Sequence, residues 1–484
     1  MGRFISLLCL MLMFLTLLTG CLGGNASAPV SSDGMVASGP ANAAVSEASS
    51  QASTSTAAES ASAAPESAAA AGSHAQQADT SPGENDTSLT ARPGTSAETQ
   101  PATESPNTDS DGVRQDGEFR AVWISYYELD GRGKNGDQFR DMVGGMFDKV
   151  KEMGLNTVVV HIRANADAFY PSSFFPWCEY AAGTQGQDPG YDPLAIMIEE
   201  AHARRLAFHA WLNPYRVSNK SGDPLTLCES NPARVWLTDE DASNDDWAVC
   251  WGDGIYYNPG VLPVQKLILD GVREILDNYA VDGIHFDDYF YPTTDPGFDS
   301  AAYGRYTAQA GECALPLGDW RRANVNSLMQ AVYRLAEEKG VPFGISPSAH
   351  VSTDGSDKNY NELYADIARW MGQPGYIHYI APQLYFGFAY PKEDFRFDRL
   401  LDTWLSLPRA PGVRLYVGLP AYKIGTEDAG SAEWLEKDDI LKRQLALLRQ
   451  EKADGFLLYS YSSLVSDHPL YQTQMENLQT LLQD

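Results

Sequence analysis

Asp282-Gly283-Ile284-His285-Phe286-Asp287-Asp288-Tyr289-Phe290-Tyr291-Pro292 is an apolar run that ends in two adjacent carboxylates and then in aromatics. An aromatic side chain gives a sugar ring a face to stack on, and carboxylates supply the acid, base or nucleophile that breaks a glycosidic bond. If the run is a strand of a parallel barrel, its C-terminal end is where chemistry collects. The plainer alternative is a pair of solvated or helix-capping aspartates after an ordinary strand.

The residues around this stretch favour a barrel. Short apolar strands alternate with amphipathic helices from Phe119 onward. Strands are expected at Phe119–Ser125, Thr157–Arg163, Ala207–Asn213, Gly283–Asp287, Phe343–Ser346, Ile377–Tyr385, Arg414–Leu419 and Gly455–Tyr461. Between them, Phe139, Met142, Val143, Met146, Phe147 and Val150 recur at helical spacing until Gly154 stops the helix. Asp192-Pro193 reads as a cap followed by a first-turn proline. Further helices are expected from Pro263, over Asp319–Lys339, Tyr360–Trp370, Phe397–Leu405 and Asp439–Gln450, and at about Tyr471–Leu482. Eight strand–helix units predict an α/β fold of the (β/α)8 TIM-barrel type over residues 117–484. An open doubly wound sheet is weakened by the lack of a glycine-rich phosphate fingerprint after the first strand.

The predicted strand ends are more polar and aromatic than their middles. They offer Arg163, then Asn213, Tyr215 and Arg216, then Asp287, Asp288 and Tyr289, then Gln383 and Tyr385. The long loops after strands two and three add Trp177, Glu179, Trp236, Trp247, Trp251, Tyr256 and Tyr257. Some of these aromatics must form loop cores, and the rest are available to line a groove.

The chain begins with Arg3 ahead of an apolar run from Phe4 to Leu18. The run is short for a membrane span and fits a signal-peptide core. It ends in Leu18-Thr19-Gly20-Cys21, which resembles a bacterial lipobox. That resemblance implies a signal over 1–21, lipid on Cys21, and an extracytoplasmic chain anchored to the bacterial cell membrane. Residues 22–116 are rich in Ala, Ser, Thr, Gly and Pro and poor in aromatics. Such a segment cannot bury enough apolar surface to offset its chain entropy, so disorder is expected. A flexible linker of this length has a reach on the order of 50 Å.

Twelve acids face Arg92 and Arg114 within 22–116, which leaves residues 117–484 carrying −20 of the total −29. So acidic a domain is not expected to bind nucleic acid through phosphates. A polyanionic substrate needs a locally basic site, whereas a neutral or amino-bearing glycan does not. Cys178, Cys228, Cys250 and Cys313 show no zinc spacing. Four cysteines allow three connectivities, and a Cys228–Cys250 pair within one loop is one of them. No cofactor or metal is expected.

The chain resembles the glycosyl hydrolase-like family ten along nearly all of 118–470. The carriers are Arg120-Ala121-Val122-Trp123-Ile124, Phe175-Pro176-Trp177-Cys178-Glu179-Tyr180, Gly183-Thr184-Gln185-Gly186 and Asp188-Pro189-Gly190-Tyr191-Asp192-Pro193-Leu194. The most specific is His209-Ala210-Trp211-Leu212-Asn213-Pro214-Tyr215-Arg216, with Asp282 to Pro292 and Ala381-Pro382-Gln383-Leu384-Tyr385 completing the set. The resemblance implies a glycosidase-type barrel at the bacterial envelope. Its implied substrate is the glycan of peptidoglycan, strands stripped of their stem peptides included. Cys178, Phe386 and His378 depart from the family pattern, which has Ser, Trp and an acid there.

Alternation along a strand turns Asp287 inward with His285. Asp287 is therefore the expected nucleophile or base, with Asp288 second. Glu179 is the expected proton donor, provided that burial beside Trp177 raises its pKa. Arg163, Asn213, Tyr215, Arg216, Tyr289, Gln383 and Tyr385 are assigned to substrate. Arg163 has the alternative of holding Asp287 ionised, and Arg216 that of tying down the loop after strand two. The carboxylate separation decides between retention, at roughly 5–5.5 Å, and inversion, at roughly 6.5–9.5 Å. An N-acetyl group of the substrate is a third nucleophile. Two other functions stay open. One is a glycan-binding barrel without catalysis. The other is a metal-dependent hydrolase using Asp287, Asp288, His161, His209 and His285.

Overall fold

The computed structural model describes residues 117–352 and 355–483. The expected leader over 1–21, Cys21 included, and the expected linker over 22–116 lie outside the described residues. Eight parallel strands close into a barrel: β1 (Phe119–Ile124), β2 (Thr157–Arg163), β3 (Ala207–Leu212), β7 (Gly283–Phe286), β8 (Phe343–Ile345), β9 (Tyr379–Ile380), β10 (Arg414–Leu419) and β11 (Gly455–Tyr459). The expected (β/α)8 barrel is what forms. β11 pairs with β1 to complete the ring, with Phe119 opposite Gly455 and Trp123 opposite Tyr459.

Period-2 alternation divides the strand residues between two apolar layers. Phe119, Ala121, Trp123, Val159, Trp211, Ala381 and Leu457 fill the interior, with Tyr385, Tyr416 and Tyr459 packed against them. Their neighbours, Val122, Val158, Phe208, Ala210 and Ile284 among them, face the helices. The helix Gly136–Glu152 buries Phe139, Val143, Met146, Phe147 and Val150 along one stripe, and Asn135 caps it by accepting from Gln138 N–H. Asp192 likewise accepts from Ala195 N–H, with Pro193 in the first turn. Gly340 ends the helix Leu317–Lys339 at φ 70°, a left-handed conformation that costs glycine little.

Three expectations change. The strand predicted at Ile377–Tyr385 shrinks to β9, because Pro382 brings no N–H to the ladder; beyond it only single bridges join Gln383 to Ser348 and Gly418. The helix predicted at Tyr360–Trp370 is two short helices, Lys358–Asn361 and Ile367–Gly372. Between them Tyr364 takes φ 55°, and its hydroxyl accepts from Arg321 Nη1 at 2.9 Å. Cys228 and Cys250 do not pair. Cys228 sits ahead of the helix Pro232–Thr238 with its thiol 3.4 Å from Ser230 Oγ, and Cys250 is exposed on a separate strand.

The long loop after β3 also folds where no strands were expected. β4 (Arg216–Ser218), β5 (Ala248–Trp251) and β6 (Gly254–Tyr257) form an antiparallel sheet in the order β4-β6-β5. Gly252-Asp253 makes the β5–β6 hairpin turn, with Gly252 at φ 56°. This sheet sets Arg216 beside the barrel mouth. Among the described residues no helix is long and apolar enough to cross a membrane.

Candidate active site

The mouth is built upward from a polar floor. Trp123 Nε1–H donates to His285 Nε2 at 3.2 Å, and His285 Nδ1 lies 3.0 Å from the Tyr379 hydroxyl. That hydroxyl is also 3.0 Å from His209 Nδ1. An indole N–H only donates, so Nε2 of His285 accepts and Nδ1 carries the hydrogen. Tyr379 then receives from His285 and donates to His209. Burial pushes His209 down to about 4 and His285 well below the ordinary histidine range, so both rings stay neutral. This satisfied network gives His209 and His285 structural work, while His161 stacks on Trp211 at 3.7 Å with its Nε2 buried and without a hydrogen-bond partner among the described residues.

Asp287 sits directly above, 2% exposed. Its Oδ2 accepts from Trp211 Nε1 and Asn213 Nδ2, both at 3.2 Å. Asn213 is itself fixed, because its Oδ1 accepts from the backbone N–H groups of Tyr215 and Arg216. Burial pushes the Asp287 carboxyl up to about 7, opposed by the Arg216 guanidinium and reinforced by Asp288. Asp288 is half-buried, and burial raises its carboxyl too, while Lys358 and Gln383 act to lower it. Gln383 donates to the Ser346 carbonyl at 2.8 Å. Arg216 donates to the Ala164 carbonyl in the loop after β2 and lies 4.8 Å from the Tyr289 ring, which is 54% exposed.

Tyr385 and Tyr459 pack at 5.7 Å beside Trp123. Tyr422 and Tyr127 continue this group into solvent, with the Tyr127 hydroxyl 3.2 Å from that of Tyr459. The mouth is therefore an aromatic-walled opening over paired carboxyls.

Three expected site residues lie elsewhere. Arg163 turns away from the mouth. Strict alternation would point it inward, but a bulge between His161 and Arg163 shifts the register, so that Arg163 pairs with Leu212 and faces the helix layer. Its guanidinium lies 4.5 Å from the Phe175 ring. Tyr215 is wholly buried. Glu179 opens the short helix Glu179–Ala182, pairs with Lys220, and is 42% exposed at its side chain, so the burial its expected role requires is absent. Trp211 is the residue that was missed. It lies in β3 two positions before Asn213, which directly follows the strand, so the two share a face, and that spacing was the available signal.

The sequence matches the model of the family glycosyl hydrolase-like 10 over residues 118–436. The chain belongs to this family, and it is a glycoside hydrolase. It is 38% identical over 370 residues to glycosyl hydrolase YngK of Bacillus subtilis (strain 168), covering 73% of this chain and 70% of that one. It is 37% identical over 322 residues to glycosyl hydrolase DigH of Escherichia coli (strain K12), covering 62% of this chain and 70% of that one. Among solved structures, the PgaB (BpsB) glycoside hydrolase domain from Bordetella bronchiseptica aligns with 75% of this chain and 99% of its own, at 14% identity and a TM-score of 0.49.

Proposed function

We propose that the protein hydrolyses the glycan strands of bacterial cell wall, peptide-free strands included, from a lipid anchor on Cys21. The observation that carries the catalytic part is the caged Asp287 carboxyl, held up at about 7 at the barrel mouth. Such a group is protonated in a substantial fraction of molecules near neutral pH, which suits a general acid. Both hydrogen bonds from Trp211 and Asn213 fall on Oδ2, whereas Oδ1 accepts only the long contact from Tyr289 N–H at 3.5 Å, so Oδ1 is the oxygen placed to carry the proton. In this reading Asp287 is the acid rather than the expected nucleophile or base, because burial holds it up at about 7: Oδ1 protonates the leaving glycosidic oxygen as the bond breaks. Asp288, or an N-acetyl oxygen of the substrate, answers the charge growing on the sugar carbon, and a water then bonds to that carbon and gives its proton to the Asp287 carboxylate, which restores the acid. The exposed tyrosines provide stacking faces, and the acidic sequence suits a glycan rather than a nucleic acid. The 22–116 segment is the tether that lets an anchored barrel search the wall.

The test is digestion of purified peptidoglycan, intact and amidase-stripped, read by mass spectrometry. New reducing ends are expected from the wild type, more of them from stripped strands. The rate should fall as pH rises through about 7, since the acid must be protonated. No cleavage of either substrate, with the protein still pelleting with the glycan, would leave a binding module instead.

Glu179→Gln should keep cleavage within about threefold of wild type, because an exposed ion pair contributes little. A hundredfold loss in initial rate would restore Glu179 as the proton donor.

A further inference from the structure

Arg216 opens β4 where the chain leaves the barrel, and its backbone is tied to the site. Its N–H donates to Asn213 Oδ1 at 2.9 Å, and Nδ2 of the same asparagine donates to Asp287 Oδ2 at 3.2 Å. Across the small sheet Arg216 pairs with Tyr256. The side chain is fixed as well. Nε–H donates to the Ala164 carbonyl at 3.2 Å, and the guanidinium carbon lies 4.8 Å from the centre of the Tyr289 ring. Tyr289 directly follows Asp287 and Asp288, and its N–H reaches toward Asp287 Oδ1 at 3.5 Å. These distances put the cation beside the carboxyl pair.

What Arg216 lacks is a counter-charge. It is 9% exposed, and among the described residues it forms no ion pair. Buried charges are ordinarily paired, as Arg321 is by Asp299. Acids are not in short supply, since residues 117–484 carry −20. Tyr289 does not supply the charge, because burial pushes its phenol up to about 12 and keeps it neutral. Nε is committed to Ala164, so the forked edge of Nη1 and Nη2 is the part left without an anionic partner. That edge matches a carboxylate through two parallel hydrogen bonds. A side chain this buried meets only what is seated in the mouth, so the anion has to ride on the sugar held over Asp287.

One group of the proposed substrate fits. The muramic sugar carries a lactyl ether on its ring. In intact peptidoglycan the lactyl carboxyl is an uncharged amide of the stem peptide, and an amidase frees it as a carboxylate. We propose that Arg216 binds the free lactyl carboxylate of the muramic residue at the cleavage site and so makes the enzyme select peptide-free strands. This rests on the glycan reading given above and adds the group that is read. An amide in the same place offers one neutral oxygen and leaves the guanidinium charge unanswered.

The experiment gives the full-length protein three substrates. They are amidase-stripped strands, the same strands with their carboxyls converted to methylamides, and intact strands, whose peptides hold carboxylates farther from the sugar. Wild-type kcat/KM, read from new reducing ends, is expected to be about tenfold or more higher on stripped strands than on either other substrate, the size of a charge-assisted contact. Arg216→Gln should bring the ratio of stripped to methylamide strands near one. Arg216→Lys keeps the charge without the fork and should recover part of that ratio. Equal cleavage of stripped and methylamide strands by the wild type would overturn the proposal while the glycosidase reading stands, and that comparison needs no variant to fold. An undiminished ratio in Arg216→Gln would overturn it too. Intact strands cut as fast as stripped ones would overturn the lactyl assignment in favour of peptide carboxylates. If none of the three is cut, the glycosidase reading fails on its own, and binding decides the proposal. A dissociation constant at least several-fold lower for soluble stripped fragments than for methylamide fragments would support it, and equal constants would overturn it.

Discussion

Asp287→Asn is expected to abolish glycan cleavage and, above neutral pH, to make the protein more stable. Loss of a general acid costs a factor of about 10²–10⁴, which brings the reaction near the floor of a reducing-end assay. The gain in stability comes from the same carboxyl. In the unfolded chain it titrates near the ordinary aspartate value, and in the barrel burial carries it to about 7. Below the unfolded value both states are protonated and nothing is lost. As pH climbs from there through about 7, the unfolded state ionises first and the folded state falls behind, so wild-type stability drops across that window. The difference corresponds to about 4 kcal/mol once both are ionised.

Asparagine is isosteric and carries no charge. Its carbonyl can take the place of Oδ2 and keep the bonds from Trp211 and Asn213. Urea unfolding of both proteins should therefore give matching midpoints near pH 4 and a clear advantage for the variant near pH 8. A variant no better at pH 8 than at pH 4 would show that the carboxyl is ionised at little cost, and the general-acid reading would go with it. Stability given up at one position for a tuned proton is a recurrent feature of enzyme sites.

The barrel was legible because its signals are local. The strand runs Thr157–Arg163 and Arg414–Leu419, the stripe from Phe139 to Val150 and the Asp192-Pro193 cap each declare themselves within one element. Inward placement of Asp287 followed from alternation with His285, and the structure has it so. Arg163 shows where that reasoning stops. One extra residue in β2 inverts a side chain, and a bulge is set by tertiary pairing rather than by residue type. Glu179 shows another limit, since proximity to Trp177 in sequence says nothing of exposure, and Lys220, 41 residues on, holds it at the surface. The sheet after β3 was readable in part. Gly252-Asp253 between two aromatic runs is a hairpin signal that the length of the loop obscured.

Arg321→Met should be the most destabilising single change, and its effect should reach the active site without contact. Arg321 and Asp299 are both wholly buried at their side chains. The guanidinium binds Asp299 through Nε at 2.9 Å and Nη2 at 2.6 Å, a two-pronged pair. It also donates to the Asp295 carbonyl at 2.7 Å and the Tyr364 hydroxyl at 2.9 Å, with the Tyr291 ring 5.1 Å away. These partners draw the segment that follows Asp287, Asp288 and Tyr289 onto the helix Leu317–Lys339. Removing the arginine strands a buried carboxylate, which costs about 3–5 kcal/mol. The double change Arg321→Met with Asp299→Leu removes both charges and should recover most of that loss, because a buried pair contributes little beyond an apolar replacement. It does not restore the ties to Asp295 and Tyr364. The double variant should thus unfold near the wild-type urea midpoint yet cleave the proposed glycan substrate more slowly. Equal cleavage by wild type and double variant would show that the carboxyl pair is positioned by the barrel strand alone. A slow but stable double variant would place Arg321 as the brace of the catalytic loop.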